Sequence, residues 1–155
     1  MILCEAGRAM GYRVQASFQT TPIGPGRRAW SQVLFTRMEV GDAALAAQTP
    51  YGEADLLLGM DAVESLRAIG PDPFLRVSDP ERTYVVVNNG VLDDQVDEAR
   101  MRAAGELSEA VHIGCRGHDA FIRDVATLAR RHFLTDRLTD LVLLGAAYQL
   151  SLIHI

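Results

Sequence analysis

The run Thr83-Tyr-Val-Val-Val-Asn88, closed by the turn signal Asn89-Gly90, most constrains what this chain can fold into. It is the strongest strand in the sequence. Ala54-Asp-Leu-Leu-Leu-Gly59 is a second short apolar run, of the kind buried on both faces of a parallel sheet. Helical patterns alternate with these runs, which is the signature of a sheet covered by helices.

Met1 to Met10 reads as helix, stopped by Gly11. Tyr12–Ser17 alternates as a strand and Ser31–Arg37 follows as another, with a Gly/Pro-rich loop between them. Asp61 is placed to cap a helix, with Glu64 three residues on, and Gly70-Pro71 ends it. Asp93 to Glu109 reads as a polar helix with Val96, Ala99, Ala103 and Leu107 along one side. Val111–Gly114 reads as a short strand. From Asp119, apolar residues recur at helical spacing, and Thr139–Gln149 is a last helix, apolar nearly all round and hence expected to be buried. The expected fold class is α/β: an open, mostly parallel, Rossmann-like sheet with helices on both faces. Tyr12–Ser17, Ala54–Gly59, Thr83–Asn88 and Val111–Gly114 should lie side by side and parallel, joined by right-handed crossovers, with Ser31–Arg37 at an edge of the same sheet.

The length, 155 residues, suits one domain, expected over residues 1–149. A doubly wound domain normally begins with a strand and a glycine turn. Here the chain opens inside a helical pattern, so both are expected to be missing from it. Residues 150–155, Leu-Ser-Leu-Ile-His-Ile, resemble a translated adapter and are expected to be non-native. Irregular stretches run from Val40 to Thr49 and from Pro71 to Arg82.

All 15 of the Lys+Arg residues are arginine. Chemistry that needs an amine, such as a Schiff base or a Walker-type phosphate lysine, is therefore excluded within the chain. The net charge of −5, with no basic stripe, gives no support to a nucleic-acid binder. Leu141–Ala147 is the longest apolar stretch, far short of the roughly 20 residues that span a bilayer. Two cysteines cannot supply the four thiolates that an iron–sulfur cluster takes as a rule, and they are too few for a disulfide framework. Without a signal-peptide pattern at Met1-Ile-Leu-Cys-Glu, the expected location is the cytoplasm.

Two constellations invite chemistry. His112-x-x-Cys115-x-x-His118-Asp119 offers thiolate and imidazole groups at the carboxyl end of an expected strand, where open α/β sheets bind ligands. Zinc sites usually draw on two separated ligand pairs, and no second pair exists here, so capping and packing are the competing roles. The second constellation is the loop from Gln19 to Arg28. Gly24 and Gly26 permit close backbone approach, while Arg27 and Arg28 carry fixed positive charge suited to phosphate or carboxylate. The loop lacks a G-x-G-x-x-G order, so it is either an anion or partner contact or a solvated turn. No catalytic set emerges from the sequence.

In order along the chain stand Ile2-Leu-Cys-Glu-Ala with Gly11-Tyr-Arg-Val, then the glycine/arginine loop and strand from Gln19 to Arg37. Gly52–Gly59 with Val63–Arg67, Val85–Asn88, Ala126–Ala129 and Leu143–Ala146 follow. This series resembles the gamma-type domain of 2-oxoacid:ferredoxin oxidoreductases, the group that includes the pyruvate and indolepyruvate enzymes. The chain departs from the family in reading Gly26-Arg27-Arg28 where Arg-Gly-Gly is usual, and Asp140 where Asn is common. The resemblance implies a component of a complex in which other domains hold thiamine diphosphate and iron–sulfur clusters and the gamma-type domain helps shape the approach of coenzyme A. Partners would then be thiamine-binding and ferredoxin-type domains. Gln19, Gly24, Gly26, Arg27 and Arg28 become candidate contacts to them or to coenzyme A, and the chain by itself should bind neither thiamine diphosphate nor iron. The competing readings are a stand-alone nucleotide- or CoA-binding α/β domain without catalysis, and a structural domain with no ligand.

Overall fold

The computed structural model describes residues 2–20, 29–37, 48–92 and 97–150. Among them are five α-helices and a small three-stranded parallel sheet, a mixed α/β protein. The chain divides into two compact units, Met1–Pro50 and Tyr51–His154.

The first unit holds α1 (Ile2–Ala9), β1 (Tyr12–Thr20) and β2 (Ala29–Arg37). Gly11 takes a left-handed φ of 81°, which costs a glycine little and turns the chain out of α1 into β1. α1 packs on the hairpin and buries Cys4 and Gly7, and Tyr12 meets Phe35 edge-on with ring centroids 6.3 Å apart.

β1 and β2 are antiparallel, in register from Tyr12 opposite Arg37 to Thr20 opposite Ala29, and form a two-stranded sheet of their own. This corrects the expectation that Tyr12–Ser17 and Ser31–Arg37 join the parallel sheet. Only residues 21–28 separate the strands, a link that suits a hairpin, whereas a parallel pair needs a crossover of a dozen or more residues. Their alternating pattern is also that of a sheet covered on one face.

The second unit begins β3 (Leu56–Gly59), α2 (Ala62–Ile69), β4 (Tyr84–Asn88) and α3 (Glu98–Gly114). A 3₁₀ turn at Gly117–Asp119, β5 (Phe121–Arg123), α4 (Val125–Phe133) and α5 (Thr139–Gln149) complete it. β4 lies between β3 and β5 and is parallel to both, so the segment makes two successive β-α-β passes. Val85 and Val87 pack with Ile69 of α2 and with Ala103, Leu107 and Val111 of α3. Strand alternation turns Val86 to the opposite face, where it is equally buried. α5, with its buried Leu143 and Ala147, lies against β3 and β4. Each fully buried valine contributes roughly 1.5–3 kcal/mol of transfer free energy. β4 is therefore the centre of the core.

Three further expectations change. Val111–Gly114 is not a strand but the last turn of α3. Ala103, Leu107, Val111 and Gly114, all buried, continue one helix face at spacings of four, four and three, and that period outweighs four residues of strand-like composition. Phe121 and Ile122 are not helical; they sit in β5, and the helix begins later, after Asp124. α5 buries Thr139, Leu143 and Ala147, while Leu141 and Tyr148 on its outer side are exposed. No helix of the described residues is long and apolar enough to cross a membrane.

Candidate functional site

The carboxyl end of the parallel sheet is where this architecture places ligands. Three strand-to-helix turns meet there: Met60-Asp61 after β3, Asn89 onward after β4, and Asp124 after β5. Asn88, the last residue of β4, joins all three. Its Nδ2 donates to the carbonyls of Met60 at 3.2 Å and Gly90 at 2.8 Å. Its Oδ1 accepts from the backbone N–H of Gly90 at 3.0 Å, Val125 at 2.9 Å and Ala126 at 3.2 Å. The side chain is completely buried, so every one of these bonds replaces a partner that water cannot supply.

Each helix that starts at this end carries its own aspartate cap. Asp61 accepts from the N–H of Glu64 at 3.0 Å, Asp97 from that of Arg100 at 2.8 Å, and Asp124 from that of Thr127 at 2.8 Å. Asp61 performs the capping role expected of it, but Glu64 does not reciprocate; its carboxylate pairs with Arg67. At α4 the oxygens of Asn88 and Asp124 together take the first three N–H groups. A helix N-terminus with free N–H groups attracts anions; here the protein's own oxygens fill that role.

Arg100 ties the turns electrostatically. Its Nε donates to Asp61 Oδ2 at 2.7 Å, and its Nη1 donates to Asp97 Oδ2. Burial works against the charge of Arg100, and the bonds to Asp61 and Asp97 more than compensate, holding its pKa above the ordinary value. The Asp97 carboxyl is held below its ordinary value, first by the backbone N–H of Arg100 and then by the Arg100 side chain. Between these groups, lined by Met60, Asp61, Gly90, Val91, Leu92 and Arg100, remains a hollow of about 10 Å³, room for about one water. A larger groove of about 420 Å³ lies elsewhere, between α2, α3 and the turn after α2. Val63, Leu66, Leu75 and Ala103 line it, and at its rim Arg67 and Arg102 are engaged with Glu64 and Glu98.

The candidates from the sequence fall elsewhere. His112 lies in the last turn of α3, Cys115 just beyond it and His118 in the 3₁₀ turn that leads into β5. This places the cluster at the amino end of the sheet, correcting its assignment to the carboxyl end; the error followed from reading 111–114 as a strand. His112 and His118 are exposed and Cys115 is buried. His118 Nε2 is 3.2 Å from Asp119, which Arg116 also reaches at 3.1 Å. No group of three or more His, Cys, Asp or Glu side chains is arranged to hold a metal ion among the described residues. Burial pushes the Cys115 thiol up from its ordinary value, with the neighbouring Ser78 hydroxyl offsetting part of the effect. Gln19 belongs to β1, opposite Trp30 on β2, so the stretch from Gln19 to Arg28 begins as strand rather than loop. Gly24, Gly26, Arg27 and Arg28 lie outside the described residues.

Sequence reasoning missed Asn88, Asp124 and Arg100. The signals were present: an amide at a strand's last position before Asn-Gly, and an aspartate three residues ahead of Thr127. No protein-family model matches the chain, and neither a curated protein nor a solved structure is significantly similar to it.

Proposed function

We propose that this chain is the gamma-type component of a 2-oxoacid:ferredoxin oxidoreductase, the component that does not hold thiamine. The whole complex would oxidatively decarboxylate a 2-oxoacid such as pyruvate or indolepyruvate in the cytoplasm and pass the electrons to ferredoxin. Thiamine diphosphate, held by partner domains, supplies the carbanion chemistry, and protein domains supply placement. One observation carries the reading. The resemblance segments within Tyr51–His154 are the elements of a single layered unit: Gly52–Gly59 leads through β3, Val63–Arg67 is on α2, Val85–Asn88 is on β4, Ala126–Ala129 is on α4 and Leu143–Ala146 is on α5. Two β-α-β passes with buried valines facing both ways support a Rossmann-like assignment for that unit.

The competing nucleotide- or CoA-binding reading has less support. A phosphate would have to approach α2, α3 or α4 past aspartates that already cap them. The test is to co-express the chain with thiamine-binding and ferredoxin-type components of a 2-oxoacid:ferredoxin oxidoreductase, and to purify by a tag on this chain. The expected result is a complex that reduces ferredoxin only when a 2-oxoacid is added. A chain that elutes alone, and whose omission leaves the partners' activity unchanged, would overturn the proposal.

A further inference from the structure

We draw no further inference here: the strongest candidate, the uncharged outer face of α5 on which Leu141, Gly145 and Tyr148 stand exposed in line, is an unpartnered apolar face, and nothing in the structure shows what covers it.

Discussion

The side-chain oxygen of Asn88 accepts the backbone N–H of Val125 at 2.9 Å, so the last residue of β4 caps the first turn of α4, a helix that starts 37 residues later. The same oxygen takes Ala126, and the amide nitrogen holds Met60 and Gly90. One side chain thereby fixes how three strand-to-helix turns sit relative to one another.

Asn88→Leu removes every one of these bonds while keeping a similar volume. Each buried donor or acceptor left unpaired costs about 1–3 kcal/mol. The expected loss exceeds about 3 kcal/mol in urea unfolding, with α4 amides losing protection from hydrogen exchange first. A loss below about 1 kcal/mol would mean that water enters and replaces the amide.

Gly90 and Asp124 are coupled sterically. A Cβ on Gly90 would overlap the Asp124 carboxylate that caps α4. Gly90→Ala should therefore cost about what loss of an N-cap costs, roughly 0.5–2 kcal/mol. Asp124→Ala should cost a similar amount. The double substitution should cost less than the sum, because both changes remove the same cap. Strict additivity in a double-mutant cycle would refute the coupling.

β3 and β4 of the parallel sheet were legible in the sequence because each rests on a strong local signal, whereas β5, with three residues, was read as helix. Tyr84–Asn88 and Leu56–Gly59 are apolar on both faces, and no competing pattern covers those residues. The bounds of the helix Thr139–Gln149 were legible to the residue, but its apolar composition all round hid which side is exposed. Pairing direction was not legible for Tyr12–Thr20 and Ala29–Arg37, because alternation gives a strand its face but not its neighbour. Val111–Gly114 misled because four residues satisfy a strand pattern as well as the end of a long helix. The polar site was hardest to read: the bond from Val125 to Asn88 spans 37 positions and depends on β5 first pairing with β4.

Asp97 makes stability depend on acid. Its folded-state pKa lies below the ordinary 3.8, so its contribution is present above that pH and is lost as pH falls through the lower folded value. Asp97→Asn keeps a side-chain oxygen for the Arg100 N–H but does not titrate. The expected outcome is a shallower fall of stability below about pH 4 than in the unsubstituted protein, with a lower starting stability at pH 7, where the charge facing Arg100 is lost while the cap oxygen is kept. Superimposable acid limbs would show that Asp97 is not one of the groups responsible.

Cys115 makes the opposite contribution at alkaline pH. Burial raises its folded-state pKa above the ordinary 9.0, so the stabilisation is complete below that value and is lost as pH rises through the folded one. Cys4 and Cys115 are both buried. A disulfide reagent at pH 8 should therefore label neither thiol in the native protein and both in denaturant, since reaction requires an accessible thiolate. Cys115→Ala should flatten the alkaline limb. Rapid native labelling of Cys115 would contradict its placement in the core.

Arg27 and Arg28 offer the most direct test of a partner-contact role for the Gln19–Arg28 segment. Their guanidiniums remain charged throughout the physiological range and suit carboxylate or phosphate on a partner domain or on coenzyme A. The double substitution Arg27→Ala, Arg28→Ala would be made in the complex that the proposed function expects, with subunit affinity, the KM for coenzyme A and turnover measured separately. A desolvated charge-assisted bond should cost about 1.5–3 kcal/mol, and an exposed ion pair under about 1 kcal/mol. Weaker assembly with an unchanged KM would identify a subunit contact. A raised KM with assembly intact would identify a contact to coenzyme A. If all three quantities stay as they were, these arginines only keep the segment soluble.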